Sequence, residues 1–331
     1  MGTLMQALVF DGPARDTAAT RVAAVERPAP GPGQVAIAVE YAGINFKDVM
    51  ARRGDGGYAQ SWPFVPGLEV AGHVLAVGPG VDTPEPGQRV AALTNTGGLA
   101  EVAVADAALT TPLPAGLDPA VAAVVPGAPT TADLLVHDVA RVRDGDVVAV
   151  HSASGAVGAA LAPLARLAGA ATLVGIVGAP SRVPLARDAG YDSVHLRGPG
   201  LVESVREAAP GGADVVLDPQ GTTALEDDLA VLRPTGQIVL FGNAGGCTLD
   251  PLPTTGRLYA TNARIGGFSL ESLSRADPAR VRRALTRVVE HLAASRLSVQ
   301  PTVLDGLAAA PAAQERLATG TGSGKYVVRV R

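Results

Sequence analysis

Residues 153 to 158 read Ala-Ser-Gly-Ala-Val-Gly, an A-x-G-x-x-G spacing set between an apolar run, "VVAVH" at 147–151, and an amphipathic one, "AALAPLARLAG" at 159–169. Strand, tight turn and helix in that order are the context in which such glycines bind a dinucleotide pyrophosphate. Gly155 lets the backbone approach a phosphate, and Gly158 lets the helix pack on the strand. Ser154, Ala156 and Val157 complete a turn whose N–H groups, at a helix N-terminus, face anionic oxygen. Ala153 stands where the first glycine usually does and serves there if its φ is negative. A plain βα turn of small residues has the same spacing, so the assignment leans on its surroundings.

The surroundings sharpen the ligand. A site for NAD places Asp or Glu about 20 residues beyond the fingerprint, at the end of the next strand. Here "GIVGAPSRVPLARDAG" has no acid between Gly175 and Arg187, and Gly178, Ser181 and Arg182 occupy that corner. A guanidinium and a hydroxyl suit a 2′-phosphate, and the missing carboxylate removes repulsion against it. The pattern predicts NADPH in preference to NADH. Arg182 solvating a helix start is the plainer alternative.

The chain that must position these residues has 331 of them, 47% apolar and 18% charged, with a formal net charge of −4. That length supports two domains of ordinary size. The charge gives no electrostatic reason to expect nucleic acid or an anionic membrane as partner. Cys247 is the only cysteine, which excludes an intrachain disulfide and every Cys-rich zinc site. The start "MGTLMQALVFDGPARD" has neither the basic nor the apolar part of a secretory signal. No run of about 18 apolar residues is free of charge, Pro and Gly. The expected location is the cytoplasm.

The first third reads as short strands cut by Gly and Pro, "QVAIAVEYAGI", "GLEVAGHVLAVG", "QRVAAL" and "LAEVAVA", with one helix, "NFKDVMARRG". This suggests a compact, partly closed β domain. From about Asp118 apolar strands alternate with amphipathic helices, the pattern of a parallel sheet covered on both faces. After Gly266 a helix around 277–296 and a last strand, "KYVVRVR", are expected to return to the first domain.

Taken together, "AGINFKDVMARRG", "PFVPGLEVAGHVLAVGPGV", "GQRVAAL", "GGLAEVAVAD", "VHSASGAVG", "LRPTGQIVLFGNAGG" and "GSGKYVV", in this order, resemble the medium-chain dehydrogenase/reductase superfamily. The likeness is to its zinc-free branch of NADPH:quinone oxidoreductases and enoyl reductases. The resemblance implies an α/β fold: a GroES-like, β-rich catalytic domain from residues 1–122 and 266–331, and a Rossmann domain, a doubly wound parallel sheet, at 123–265. It also implies a homodimer joined at the sheet edge near "RIGGFS".

Zinc-dependent members carry a Cys after the "AGI" strand and a His before the Glu of "GHE". Those slots hold Asn45 and Leu68 here; Leu cannot ligate a metal and Asn is a poor zinc ligand. The expected site is metal-free. Without a Lewis acid, hydride addition is easiest on a conjugated acceptor (quinone, enone or enoyl thioester) that spreads the developing charge. A non-catalytic NADPH-binding protein, or a metal-free ketone or alcohol oxidoreductase, are the alternatives.

The same resemblance turns Asn45 toward the nicotinamide and substrate, as a donor to an enolate oxygen; the alternative is a helix cap. Lys47 is a candidate anion stabiliser or proton donor, and Asp48 an anchor. Many relatives carry a Tyr in this region, where Phe46 and Met50 stand here, which leaves Tyr58 as the nearby phenol. Thr130 matches a Thr near the nicotinamide ribose, with a helix cap as its alternative. Phe241, Gly242 and Asn243, at the carboxyl end of "QIVLFG", border the cofactor, and Phe268 walls the pocket or packs in the core. Lys325 follows "GTGSG", which fails the P-loop pattern because Tyr326 comes next; it is read as a cofactor or lid contact.

Overall fold

The computed structural model describes residues 2–330 apart from 60, 245, 247, 248, 250, 253, 254 and 323, so Cys247 lies outside the described residues. The chain divides into two compact units, Met1–Thr130 with Ser274–Arg331, and Thr131–Leu273.

In the first unit the strand Gln34–Ile44 is the spine. It has apolar residues on both faces, most of them buried, because it is covered on both edges as well. Glu69–Val77 and Val102–Asp106 pair with it antiparallel. Near its carboxyl end it also pairs with the last strand, Lys325–Arg329, through Tyr326 opposite Ile44. That pairing brings Lys325 beside the residue following the spine, Asn45. Pro301–Asp305 lies outside the last strand, and Arg89–Leu93 and Thr110–Pro112 extend the other side of the sheet. The helix Phe46–Arg53 leaves directly from the spine and stops at Gly54, whose φ of 75° takes the left-handed cap that glycine adopts without strain.

The second unit is a parallel six-stranded sheet. Its order is Ser193–Leu196, Thr172–Val177, Val147–His151, Ala213–Asp218, Leu232–Leu240 and Arg264–Gly267. Counted along the chain this is 3-2-1-4-5-6, the doubly wound arrangement whose direction reverses between the first and fourth strands. The strand Ala213–Asp218, "ADVVLD", is buried along its whole length, as a strand covered on both faces must be. Several elements were not legible from the sequence: the helices Thr255–Thr261, Leu270–Ala276 and Ala310–Ala318, the strand Pro301–Asp305, and a π-helical turn at Leu134–Val139. All are short or lack a clean apolar period.

The helix Ala156–Leu167 packs hard on the turn before it. A Cβ on Gly158 would meet the Ser152 carbonyl oxygen and stand 2.7 Å from Ala153 Cα, contacts that backbone atoms cannot yield cheaply. Gly158→Ala is therefore expected to destabilise the protein by about 1–3 kcal/mol, read as a lower urea midpoint at unchanged slope. A midpoint equal to wild type would mean that the helix can retreat from the strand.

Candidate functional site

In the second unit the strand Val147–His151 ends at Ser152, which takes a left-handed φ of 55°. Ala153 is not among the residues with positive φ, so an alanine is accepted in the first slot; the left-handed step has moved one residue earlier. Ala153 N–H donates to Ile176 O at 3.2 Å and Gly155 N–H to Ser152 O at 2.8 Å. Gly155 is the residue before the helix, with an ordinary φ of −76°. A Cβ there would lie 3.1 Å from Ser152 O, so space rather than φ favours glycine. The N–H groups of Ala156, Val157 and Gly158 open the helix and have no acceptor within it. Ser154, Gly155, Ala156 and Val157 are half-buried and Gly158 is buried. This cradle, which a Cβ would fill, fits a pyrophosphate.

Around it lie the other strand ends of the same unit. Gly178 follows Thr172–Val177 and is exposed; Ser181 is exposed and Arg182 half-buried, both in the 3₁₀ turn Pro180–Arg182. Arg197 is a functional candidate that the sequence reading missed. Its N–H donates to Val177 O at 2.9 Å, and its Nη1 stands 3.8 Å from where a side chain on Gly178 would begin. Burial lowers the pKa of its guanidinium, while Asp218 and Asp228 act against that. The available signal was its place just after "SVHL", which pairs in register with the strand ending at Val177. Gly242 follows Leu232–Leu240, and a Cβ on it would lie 2.9 Å from Pro219 O. Asn243 beside it is half-buried. Phe241 and Phe268 pack against the apolar core beneath the glycine helix, which favours the core role for Phe268. His151 Nε2 lies 2.8 Å from Asp228 Oδ1, both side chains fully buried.

The first unit holds a buried ionic cluster. Lys325 Nζ lies 2.6 Å from Glu69 Oε1 and donates to Asn45 Oδ1 at 2.5 Å and Ile44 O at 3.0 Å. Glu69 is fully buried. It also accepts from Asn45 Nδ2 at 2.9 Å and from Gly127 N–H at 2.5 Å. Glycine at 43 and 127 makes room for it, since a Cβ on either would collide with its carboxylate. Lys325 is not placed as a lid: at 7% exposure its ammonium is engaged by Asn45, Glu69 and Ile44. Asn45 is the N-cap of the helix and forms a capping box with Asp48, whose Oδ2 accepts from Asn45 N–H at 2.8 Å. The Asn45 amide also reaches Lys325 and Glu69. Its second N–H has only a 3.4 Å contact to Gly43 O.

Lys47 Nζ donates to Asn95 O at 2.9 Å and is half-buried; it does not simply extend into solvent. Tyr58 packs with Trp62 and Phe64 on the apolar core of this unit. Thr130 is fully buried and its hydroxyl donates to Val125 O at 2.9 Å, five residues back, so it closes a helical turn rather than capping one. Asp48, also buried, accepts from Gly67 N–H at 3.1 Å. Burial raises its carboxyl from 3.8 to about 6, against the pull of those backbone donors and of Lys325 and Lys47.

Residues 31–115 match the family model described as "Alcohol dehydrogenase GroES-like domain", and residues 156–290 match that described as "Zinc-binding dehydrogenase". The structure of mycobacterial Rv1454c complexed with NADPH is 30% identical, covers 98% of this chain and 99% of that one, and superposes with a TM-score of 0.88. A quinone oxidoreductase of Pseudomonas syringae is 26% identical with a TM-score of 0.88, covering 98% of this chain and 99% of that one. A mycocerosic acid synthase-like polyketide synthase of Mycobacterium tuberculosis is 34% identical over 318 residues, which is 93% of this chain. This chain spans 15% of the length of that protein. The chain belongs to the medium-chain dehydrogenase/reductase superfamily, on the branch of the quinone oxidoreductases.

The buried cluster gives two expected outcomes. Glu69→Gln or Lys325→Met alone leaves a buried charge without its partner and should cost about 3–5 kcal/mol. The double variant should cost less than the sum, and strict additivity in urea unfolding would show that the two do not interact. Asp48 binds a proton more tightly folded than unfolded. Its contribution to stability is therefore greatest below about pH 4 and is lost as pH rises through about 6. Asp48→Asn should remove that falling limb when unfolding is followed from about pH 4 to 8, and an identical profile would contradict the assignment.

Proposed function

We propose that the protein is an NADPH-dependent, metal-independent reductase of conjugated carbonyl or quinone acceptors. The observation that carries this reading is the Lys325 ammonium seated on Glu69, beside Asn45 and one residue from Leu68. The positions that hold a metal in zinc-dependent relatives are here taken by an amide and an apolar side chain, and the adjacent carboxylate already has its cation. Without a Lewis acid, an acceptor that delocalises its own charge is favoured.

NADPH, when bound, supplies a hydride from its nicotinamide. The N–H groups of 156–158 would hold the pyrophosphate, and Arg182 and Ser181, joined by Arg197, the 2′-phosphate. Lys47, whose ammonium donates to Asn95 O, is the candidate to steady an enolate oxygen and pass it a proton. Asn45, held rigidly by Lys325 and Glu69, would offer its second N–H to the same oxygen. The relatives support this assignment: one is solved with NADPH, one is a quinone oxidoreductase, and one is a polyketide synthase. On a polyketide chain a conjugated acceptor takes the form of an enoyl thioester. A homodimer formed through the strand Arg264–Gly267, which stands at the edge of its sheet, belongs to the same proposal. No helix among the described residues is long and apolar enough to cross a membrane.

The test is NADPH oxidation by the purified protein against a quinone, an enone and an enoyl thioester. Turnover is expected on at least one, with NADPH preferred to NADH by about tenfold or more, the effect of a charge-assisted contact to the 2′-phosphate. Arg182→Ala should narrow that preference. NADPH binding without turnover on any of the three would replace this reading by a non-catalytic one.

A further inference from the structure

We propose that Gln220 is a positioning residue for the cofactor turn, holding Ser152 in its left-handed conformation from across the switch point of the sheet. The inference rests on the assignment of residues 152–158 to NADPH and extends it to a side chain outside the glycine segment.

Val147–His151 and Ala213–Asp218 are neighbours, paired in parallel from Val148 opposite Val215 to Val150 opposite Leu217. Strand order reverses between these two, so their carboxyl ends open the crevice where ligands sit in doubly wound sheets. One strand continues into Ser152, the other into Pro219, Gln220 and Gly221. Asp218, fully buried, accepts the Gln220 N–H at 2.7 Å and so fixes the residue. Gln220, itself 8% exposed, donates from Nε2 to Ser152 Oγ at 2.7 Å. That side-chain bond joins the ends of the two strands beyond their last paired residues.

Its partner is the residue that most needs support. A serine at φ 55° occupies a region that non-glycine residues hold only when surrounding contacts insist on it. Ser152 also shapes the turn after it. Its carbonyl takes the Gly155 N–H at 2.8 Å and is the atom against which Gly158 packs. A rotation at Ser152 would re-aim the N–H groups of 156–158. The same short segment steadies a second loop, since Asp218 O accepts from Phe241 N–H at 2.9 Å and Pro219 O from Ala244 N–H at 2.8 Å. Residues 218–220 thus tie the glycine turn to the loop holding Gly242 and Asn243.

The test measures NADPH dissociation constants by the change in nicotinamide fluorescence, alongside melting temperatures, for the full chain. Gln220→Met keeps length and removes the donor; the dissociation constant should rise about tenfold, the loss of one buried hydrogen bond. Ser152→Ala removes the same bond from the other side, should give a similar rise, and should add little when combined with Gln220→Met. Ser152→Gly makes the tether redundant, because glycine takes a left-handed φ unaided. On that background Gln220→Met should change affinity by no more than about twofold, the scatter of independent sites. An equal loss of affinity on the serine and glycine backgrounds overturns the proposal, as does a lowered melting temperature with unchanged affinity. A folded wild type that does not bind NADPH overturns the cofactor assignment itself, and this inference with it.

Discussion

The glycine helix starts where it does because nothing projects from Gly158. Its Cα faces the Ser152 carbonyl and Ala153 at a distance that excludes even a methyl group, and this lets the first turn of the helix lie against the end of its strand. Neighbouring side chains are shaped to that contact. Gly175, on the adjacent strand, leaves room for the Ala153 methyl and the Tyr191 ring. The Tyr191 hydroxyl donates to Gly158 O at 2.7 Å, and burial pushes its pKa up, so it stays a neutral donor. The helix N-terminus, with its N–H groups and positive dipole end, is thereby pressed against the end of its strand.

The first unit rests on a different constraint. Its central carboxylate, Glu69, follows Leu68 and is fully buried, a position that is tolerable only with a cation and several donors in place. The cation comes from the far end of the chain. Lys325 reaches Asn45 across a separation of 280 residues, because the last strand pairs with the spine at Tyr326 and Ile44. Asn45 is then clamped between ammonium and carboxylate, with one N–H weakly held. A residue that would be a mobile helix cap on its own becomes a rigid amide at the end of the spine strand. The same logic explains small residues on either side: Gly43 and Gly127 are the spaces into which the carboxylate fits.

Much of this was legible along the chain. The alternation of apolar strands and amphipathic helices predicted the doubly wound sheet, and the glycine spacing predicted the turn at the end of its first strand. Leu68 and Asn45 set the expectation, carried into the proposed function, of a site without the usual metal ligands. Each of these signals is local, a matter of period, turn chemistry or residue type. Short helices such as Leu270–Ala276 carried too few turns to show a period, and the strand Pro301–Asp305 is largely exposed, so its alternation was faint.

The sequence by itself determined the class of fold, the glycine turn and the residue types available for chemistry. Tertiary structure decided which side chains serve that turn and the buried cluster. It made Lys325 the partner of Glu69 instead of a lid, and carried the left-handed step to Ser152 instead of Ala153. It also brought Arg197 to the corner beside Gly178 and hung Ser152 from Gln220. The reason is physical. Propensity and spacing act over a few residues, whereas strand pairing and the reversal of sheet order join groups 68 and 280 positions apart, and only the packed chain states which of them meet.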